Sequence, residues 1–153
     1  MRNRIITVCI LYIIVCTPGF CQSSSSGTLN VKFNGLHNDL GQIAIGINRT
    51  QDGWPRKPHQ ELNWKKGKVE DGSFSVEIKD IPFGTYAISV LDDENSNLEM
   101  DMTLGIPREG WGFSMNPPFT LSAPKFKECS FQFIKHDAEI TIEMRYVGKG
   151  KER

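Results

Sequence analysis

The residues with the clearest chemical potential lie between positions 93 and 101, where oxygen-bearing side chains occupy alternate positions. Asp93, Asn95, Asn97 and Asp101 offer side-chain oxygens, and Glu99 lies where a backbone carbonyl would complete the set. Calcium takes about six to eight oxygen ligands, and tight loops supply them at this spacing. The pattern therefore predicts a calcium site at these five residues.

This loop differs from an EF-hand at two positions. Leu98 stands where a glycine would form the sharp turn, and Leu104 stands where a bidentate glutamate would close the site. A side chain at such a turn raises the cost of the backbone conformation, and a missing carboxylate weakens coordination. We expect any calcium site here to be weak. The alternative is an Asx-rich turn whose side chains bond to backbone groups.

A Gly-rich stretch after this loop carries a second candidate site, for a ligand rather than a metal. Arg108, Glu109, Trp111 and Phe113 lie within six positions of one another. The two aromatic residues, with Phe119, could form a platform for a glycan or a peptide. The alternative, which we favour because large aromatic side chains are mostly buried, is a lid over the open end of the domain.

Catalysis has weaker support in the sequence than binding. A hydrolase of envelope polymers would need two carboxylates with separated pKa values, for which Asp92, Asp93 and Glu109 are the candidates. Ser114 lacks the second glycine of a nucleophile elbow. We therefore predict a non-enzymatic binding or structural module whose partner is a glycan or an envelope protein, with the hydrolase as the alternative.

The first 21 residues have the pattern of a signal peptide. Arg2 and Arg4 precede an apolar run over residues 5–16, and a cleavage point follows at Cys21. The run is shorter than the roughly 20 residues that span a bilayer as a helix. A retained membrane anchor and a lipoprotein with a lipidated Cys21 are the alternatives. We expect an exported protein, periplasmic or secreted, with no transmembrane segment in the mature chain.

Composition predicts one globular domain without nucleic-acid binding. The 153 residues carry 18 basic and 18 acidic side chains, and loss of the first 21 would leave 132 residues with a net charge of −2. Cys129 would then have no cysteine partner for a disulfide. We divide the chain into a signal peptide (1–21), a Ser-rich spacer (22–27), a domain (28–147) and a basic tail (148–153).

The elements that must position these sites are strands. Six segments alternate apolar and polar residues with the period of two that is typical of half-buried strands. They contain, in order, Leu29, Val31 and Phe33; Ile43, Ile45 and Ile47; Phe74, Val76 and Ile78; Tyr86, Ile88 and Val90; Cys129, Phe131 and Phe133; and Ile140, Ile142 and Met144. We predict an all-β antiparallel sandwich of about seven strands with these residues in its core, with a closed barrel as the main alternative. A long connection with Lys65, Lys66 and Lys68 is predicted to be solvated.

Two motifs carry a family resemblance. The stretch IPFGTYAISVLDDEN at 81–95 and the stretch GIPREGWGFS at 105–114 resemble the bacterial exported family DUF2141, a domain of unknown function. The resemblance extends over about residues 28–146. The turn into the strand at 82–86 is also similar to that of transthyretin-like and Cna-B-like sandwiches. The resemblance implies such a sandwich and supplies no activity.

Overall fold

The structure is a computed structural model that describes residues 25–118, 120 and 122–147. Within them the regular secondary structure is almost entirely β, as predicted. The elements are β1 (Ser26–Asn34), β2 (Gln42–Asn48), β3 (Gln60–Lys65), β4 (Ser73–Pro82), β5 (Gly84–Asp93), β6 (Met102–Thr103), β7 (Ile106–Pro107), β8 (Gly110–Phe113), α1 (Phe126–Cys129), β9 (Ser130–Phe133) and β10 (Asp137–Glu143). The predicted signal peptide, most of the serine spacer, Phe119 and the basic tail lie outside the described residues.

Two main sheets form the domain. One has the order β10-β1-β4, and the other has the order β3-β2-β5-β8, with β9 also paired to β5. One strand pair departs from the antiparallel arrangement of the predicted sandwich, because β1 and β10 run parallel, with Val31 opposite Ile140. Parallel neighbours require a long connection, and here the chain between the first strand and the last supplies it.

The core lies between the two sheets, on the faces that the alternation predicted. Ile43, Ile88 and Ile142 are fully buried, and Val76 is 6% exposed. Cys129 is also buried, as predicted, and burial raises the pKa of its thiol to about 12. This thiol is therefore protonated at physiological pH and a poor nucleophile.

Ser114 joins two short strands that share one edge of β5. Strand β8 pairs with residues 89–92, whereas β9 pairs with residues 84–87. The buried Ser114 Oγ accepts the backbone N–H of Ile88 at 2.8 Å and donates to the carbonyl of Cys129 at 2.6 Å. The hydroxyl thus satisfies backbone groups at the junction, where neither strand reaches them.

Among the residues that the structure describes, no helix has the length and apolar character needed to cross a membrane.

Candidate functional site

Strand β8 places small residues inside the domain and aromatic residues outside. A Cβ atom on Gly110 would lie 2.4 Å from the ring of Tyr146, and one on Gly112 would lie 2.6 Å from the Cγ2 atom of Ile142. Only glycine allows this close approach. Since side chains alternate along a strand, Trp111 and Phe113 point to the outer face of the five-stranded sheet. They form part of a strand and are not the lid that we favoured.

Two adjoining cavities lie on this outer face. The first has a volume of about 380 Å³ and the second about 490 Å³, and the lining of both includes Arg56, Met100, Trp111 and Phe113. Both volumes lie in the range of ligand-binding clefts. We call the two cavities together the outer groove. Its first cavity is also lined by Leu91, Leu98, Pro55, Pro58, Ser89 and Glu61, and its second by Met102, Ile106, Pro107 and Arg145.

The connection between β2 and β3 forms one wall of the outer groove. The Trp54 indole N–H donates to the carbonyl of Pro124 at 2.8 Å, and its ring lies 5.7 Å from the ring of Phe113. Pro58 packs so closely over Gly46 that an added Cβ there would lie 3.1 Å from it. This wall is therefore fixed against the sheet at both places.

Another wall belongs to the loop over residues 93–101, which a buried carboxylate anchors. Asp93 accepts the backbone N–H of Asn97 at 3.0 Å on one oxygen. Its second oxygen accepts the backbone N–H of Leu98 at 2.9 Å and the amide of Gln42 at 2.6 Å. The anchored turn directs Leu98 and Met100 into the groove. Leu98 has a φ of +64°, at the position where we expected a strained turn.

The remaining predicted calcium ligands bond to one another and to the loop backbone. The amide groups of Asn95 and Asn97 donate to the two oxygens of Asp101, at 2.8 and 3.2 Å. Their amide oxygens accept the backbone N–H of Asn97 and Glu99, at 3.0 and 2.8 Å. Within the described residues, no group of three or more His, Cys, Asp or Glu side chains could hold a metal ion. Calcium binding stays a prediction.

Glu109 accepts hydrogen bonds from the backbone at both ends of this loop. It is 3% exposed, and its two oxygens accept the backbone N–H of Glu94 at 3.0 Å and of Asp101 at 3.1 Å. Burial raises the pKa of Glu109, and these two hydrogen bonds oppose the rise. Of the four predicted ligand-binding residues, only Trp111 and Phe113 line the outer groove. Arg108 is exposed and lines neither cavity, and Glu109 is buried under the loop backbone that it bonds.

A buried ionic centre lies between the sheets, and the sequence reasoning missed it. Lys66 Nζ donates to one oxygen of Asp92 at 2.5 Å, and the Tyr146 hydroxyl donates to the other at 2.5 Å. Lys66 Nζ also reaches the backbone and side-chain oxygens of Asn38, both at 3.3 Å. The His37 ring stacks on Tyr146 at 3.7 Å. The prediction that the lysines are solvated is wrong for Lys66, whose side chain is fully buried.

The pKa shifts in this centre follow from burial. Desolvation raises the pKa of Asp92, and the hydrogen bonds from Lys66 and Tyr146 oppose it. Burial and the neighbouring carboxylate raise the pKa of Tyr146, so its hydroxyl stays a donor. One signal could have revealed the pair. By strand alternation, Asp92 faces the core in line with Ile88 and Val90. A buried carboxylate requires a cation or several hydrogen-bond donors.

Comparison with known families finds one that covers most of this domain. Residues 31–141 match the family model described as "Uncharacterized protein conserved in bacteria (DUF2141)". The chain belongs to the DUF2141 family. The match spans β2 through β9, and therefore includes both loops and the strand that form the outer groove. No curated protein and no solved structure matches the chain.

Proposed function

We propose that this DUF2141 protein is an exported, non-enzymatic binding module that holds an extended, largely apolar peptide segment of an envelope protein. The observation that carries the proposal is the continuity of the outer groove, whose two cavities share Trp111, Phe113 and Met100. Trp111 and Phe113 lie two positions apart on one strand, so they form a floor that an extended chain can follow. The N-terminal pattern of residues 1–21 supports export.

The lining of the outer groove favours a peptide over a glycan. Apolar and aromatic side chains dominate both cavities, and the ionisable groups of the first are Arg56 and Glu61. A sugar has hydroxyls around its ring and requires several donors and acceptors, whereas an apolar peptide side chain gains affinity from desolvation alone. Arg56 and Glu61 can orient a polar group of the peptide backbone or its neighbours.

The positions of the acidic residues support a non-enzymatic role. Asp92 and Asp93 are fully buried and Glu109 nearly so, and each already accepts two or more hydrogen bonds. A general acid or base must reach the proton that it transfers. These three carboxylates instead hold Lys66 and the loop that forms the groove wall.

Binding to a phage-displayed library of short peptides, in parallel with an array of bacterial envelope glycans, tests this function. We expect enrichment of peptides with apolar or aromatic residues at alternate positions. Trp111→Ala should weaken the binding of an enriched peptide by about tenfold or more, because a central buried aromatic residue typically contributes that much. Ile134→Ala is the matched control, since Ile134 is 66% exposed and does not line the groove.

Two results would contradict the proposal. Glycan binding that Trp111→Ala abolishes, with no peptide enriched, would replace the peptide by a sugar as the occupant. Peptide binding that Trp111→Ala and Phe113→Ala leave unchanged would show that the outer groove is not the site. Melting curves of each variant should be measured first, so that loss of binding is compared only between folded proteins.

A further inference from the structure

A small hairpin beside the outer groove has a leucine at a turn position that usually holds asparagine. Strands β6 and β7 pair with Thr103 opposite Ile106, so Leu104 and Gly105 form a two-residue turn. Their φ angles are +51° and +79°, which is typical of a type I′ turn. Asn-Gly is the usual sequence there, and leucine is disfavoured at positive φ. Leu104 is 98% exposed, so no packing within the domain compensates for the strain.

Exposed apolar side chains concentrate around this turn. Of the seven large hydrophobic residues exposed in the described part of the chain, four lie between positions 98 and 106: Leu98, Met102, Leu104 and Ile106. By the pairing register, Met102 and Ile106 stand on opposite faces of the hairpin, and each is about half exposed. A partner protein typically covers one face. The apolar region of a bilayer, in contrast, can cover both faces and the tip of the hairpin together.

Cationic side chains lie at the base of the hairpin. Arg56 and Arg145 line the cavity that the hairpin borders, and no carboxylate lines it among the described residues. Arg108 follows the hairpin directly and is exposed. An apolar tip above arginines complements the acyl layer and the anionic headgroups of a bilayer. Glu99 is exposed on the preceding loop and opposes this attraction, so apolar insertion supplies most of the affinity.

We propose that the hairpin over residues 102–107 inserts Leu104, Met102 and Ile106 into the surface of a membrane that contains anionic lipid. Arg56 and Arg108 then lie at the level of the headgroups. Leu104 at the tip lines neither cavity of the outer groove, whereas Met102, Ile106 and Arg56 line its second cavity, so the membrane contact adjoins the proposed peptide site. It would place the peptide site close to the membrane surface.

Vesicle sedimentation with the full chain tests the membrane contact. The vesicles are pure phosphatidylcholine, or about three parts phosphatidylcholine to one part phosphatidylglycerol. Leu104→Asn should lower the partition coefficient by about tenfold or more, because the most exposed apolar side chain of the hairpin is lost. It should also preserve or raise Tm, since Asn-Gly suits the turn. Peptide binding should be unchanged.

Met115→Asn is the matched control. Met115 also has a positive φ, of +63°, and is 59% exposed, but it lies outside the hairpin. Its substitution should relieve similar strain and leave vesicle binding unchanged. Arg56→Gln should weaken binding to the anionic vesicles and have little effect on the neutral ones.

A second variant tests the tip directly, whatever the N-terminal segment contributes to sedimentation. The chain has three tryptophans of its own, so quenching is compared with that of the parent chain. Brominated lipid should quench the fluorescence of Leu104→Trp more than that of the parent chain, and that of Met115→Trp no more than the parent's. Absence of this additional quenching, or equal sedimentation of Leu104→Asn and the parent chain, would overturn the proposal. Binding that requires a protein embedded in the vesicles would assign the hairpin to a protein partner, and would overturn the lipid assignment as well.

Discussion

The interior near Asp92 and the outer face near Trp111 reverse the usual distribution of residue types. A lysine and three carboxylates are buried near Asp92, all with hydrogen-bond partners. On the outer face, Trp111 and Phe113 form the floor of a groove. The groups that look catalytic in the sequence are therefore inside, and large apolar groups are at the surface. Burial, rather than residue type, separates the structural groups from the candidate binding groups.

The two regions are linked through a single loop. The buried side chains of Asp93 and Glu109 fix the backbone of residues 93–101. Leu98 and Met100 of the same loop form the groove wall on the outside. Substitutions on the inside should therefore change stability first, whereas substitutions on the outside should change binding and leave stability nearly intact.

The largest expected effect is at the ionic centre. Asp92→Asn leaves the Lys66 ammonium buried without its counter-charge, and breaking a buried pair in this way typically costs about 3–5 kcal/mol. Urea unfolding monitored by circular dichroism measures the change in the free energy of unfolding. Glu70→Gln is the control, because Glu70 pairs with Lys68 at 3.1 Å on the exposed surface. Equal losses in both variants would contradict the distinction between inside and outside.

Removal of the Lys66 side chain should lower the free energy of unfolding by less than Asp92→Asn does, and this loss should depend on pH. Lys66→Met leaves Asp92 without a cation, but the carboxyl can take up a proton, and we expect a loss of about 1–3 kcal/mol at pH 7. Burial already raises the pKa of Asp92, and Lys66 opposes that rise. In the Lys66→Met variant, the pKa of Asp92 in the folded state therefore lies above the ordinary value of about 3.9 that it has in the unfolded chain. Between these two pKa values, the folded state holds a proton that the unfolded chain has released.

The sign of this pH dependence follows from linkage. Because the pKa is higher in the folded state, the stabilisation from proton binding is fully present below about pH 3.9 and is lost as the pH rises through the folded pKa. The loss caused by Lys66→Met, relative to the parent chain, should therefore be smallest near about pH 4 and grow toward pH 7. Urea unfolding at both pH values measures it. A loss that grows toward low pH would contradict this explanation.

Ser114 should show a smaller effect that is independent of charge. Ser114→Ala removes the acceptor for the Ile88 N–H and the donor for the Cys129 carbonyl, both within the domain. A buried polar group left unsatisfied costs about 1–3 kcal/mol. Ser75→Ala, at an exposed position on β4, should leave the free energy of unfolding nearly unchanged. A similar result for both variants would show that Ser114 does not hold the junction.

The sequence predicted the strands well because alternation is a local property. The inward positions of Ile43, Ile88 and Ile142 follow from their own segments. The ionic centre could not be predicted in the same way, since Lys66 and Asp92 are 26 positions apart, Lys66 directly after β3 and Asp92 near the end of β5. The outer groove depends likewise on which loop covers which face. Trp111 and Phe113 were found as candidates, and their outward direction required the pairing of β8 with β5.

Calcium offers the smallest and most direct test of the loop that connects the two regions. For a Kd of about 0.1 mM, calcium at about 2 mM would stabilise the folded chain by about 1.8 kcal/mol. The actual gain should be smaller, because an ion must first displace the amides of Asn95 and Asn97 from Asp101. Thermal unfolding in EDTA and then in excess calcium measures it.

Asp101→Asn removes the carboxylate that both amides contact, so it should abolish the response. A melting temperature that calcium leaves unchanged in the parent chain would rule out the predicted metal site. The loop would then be stabilised by Asp93, Glu109 and its own amides alone.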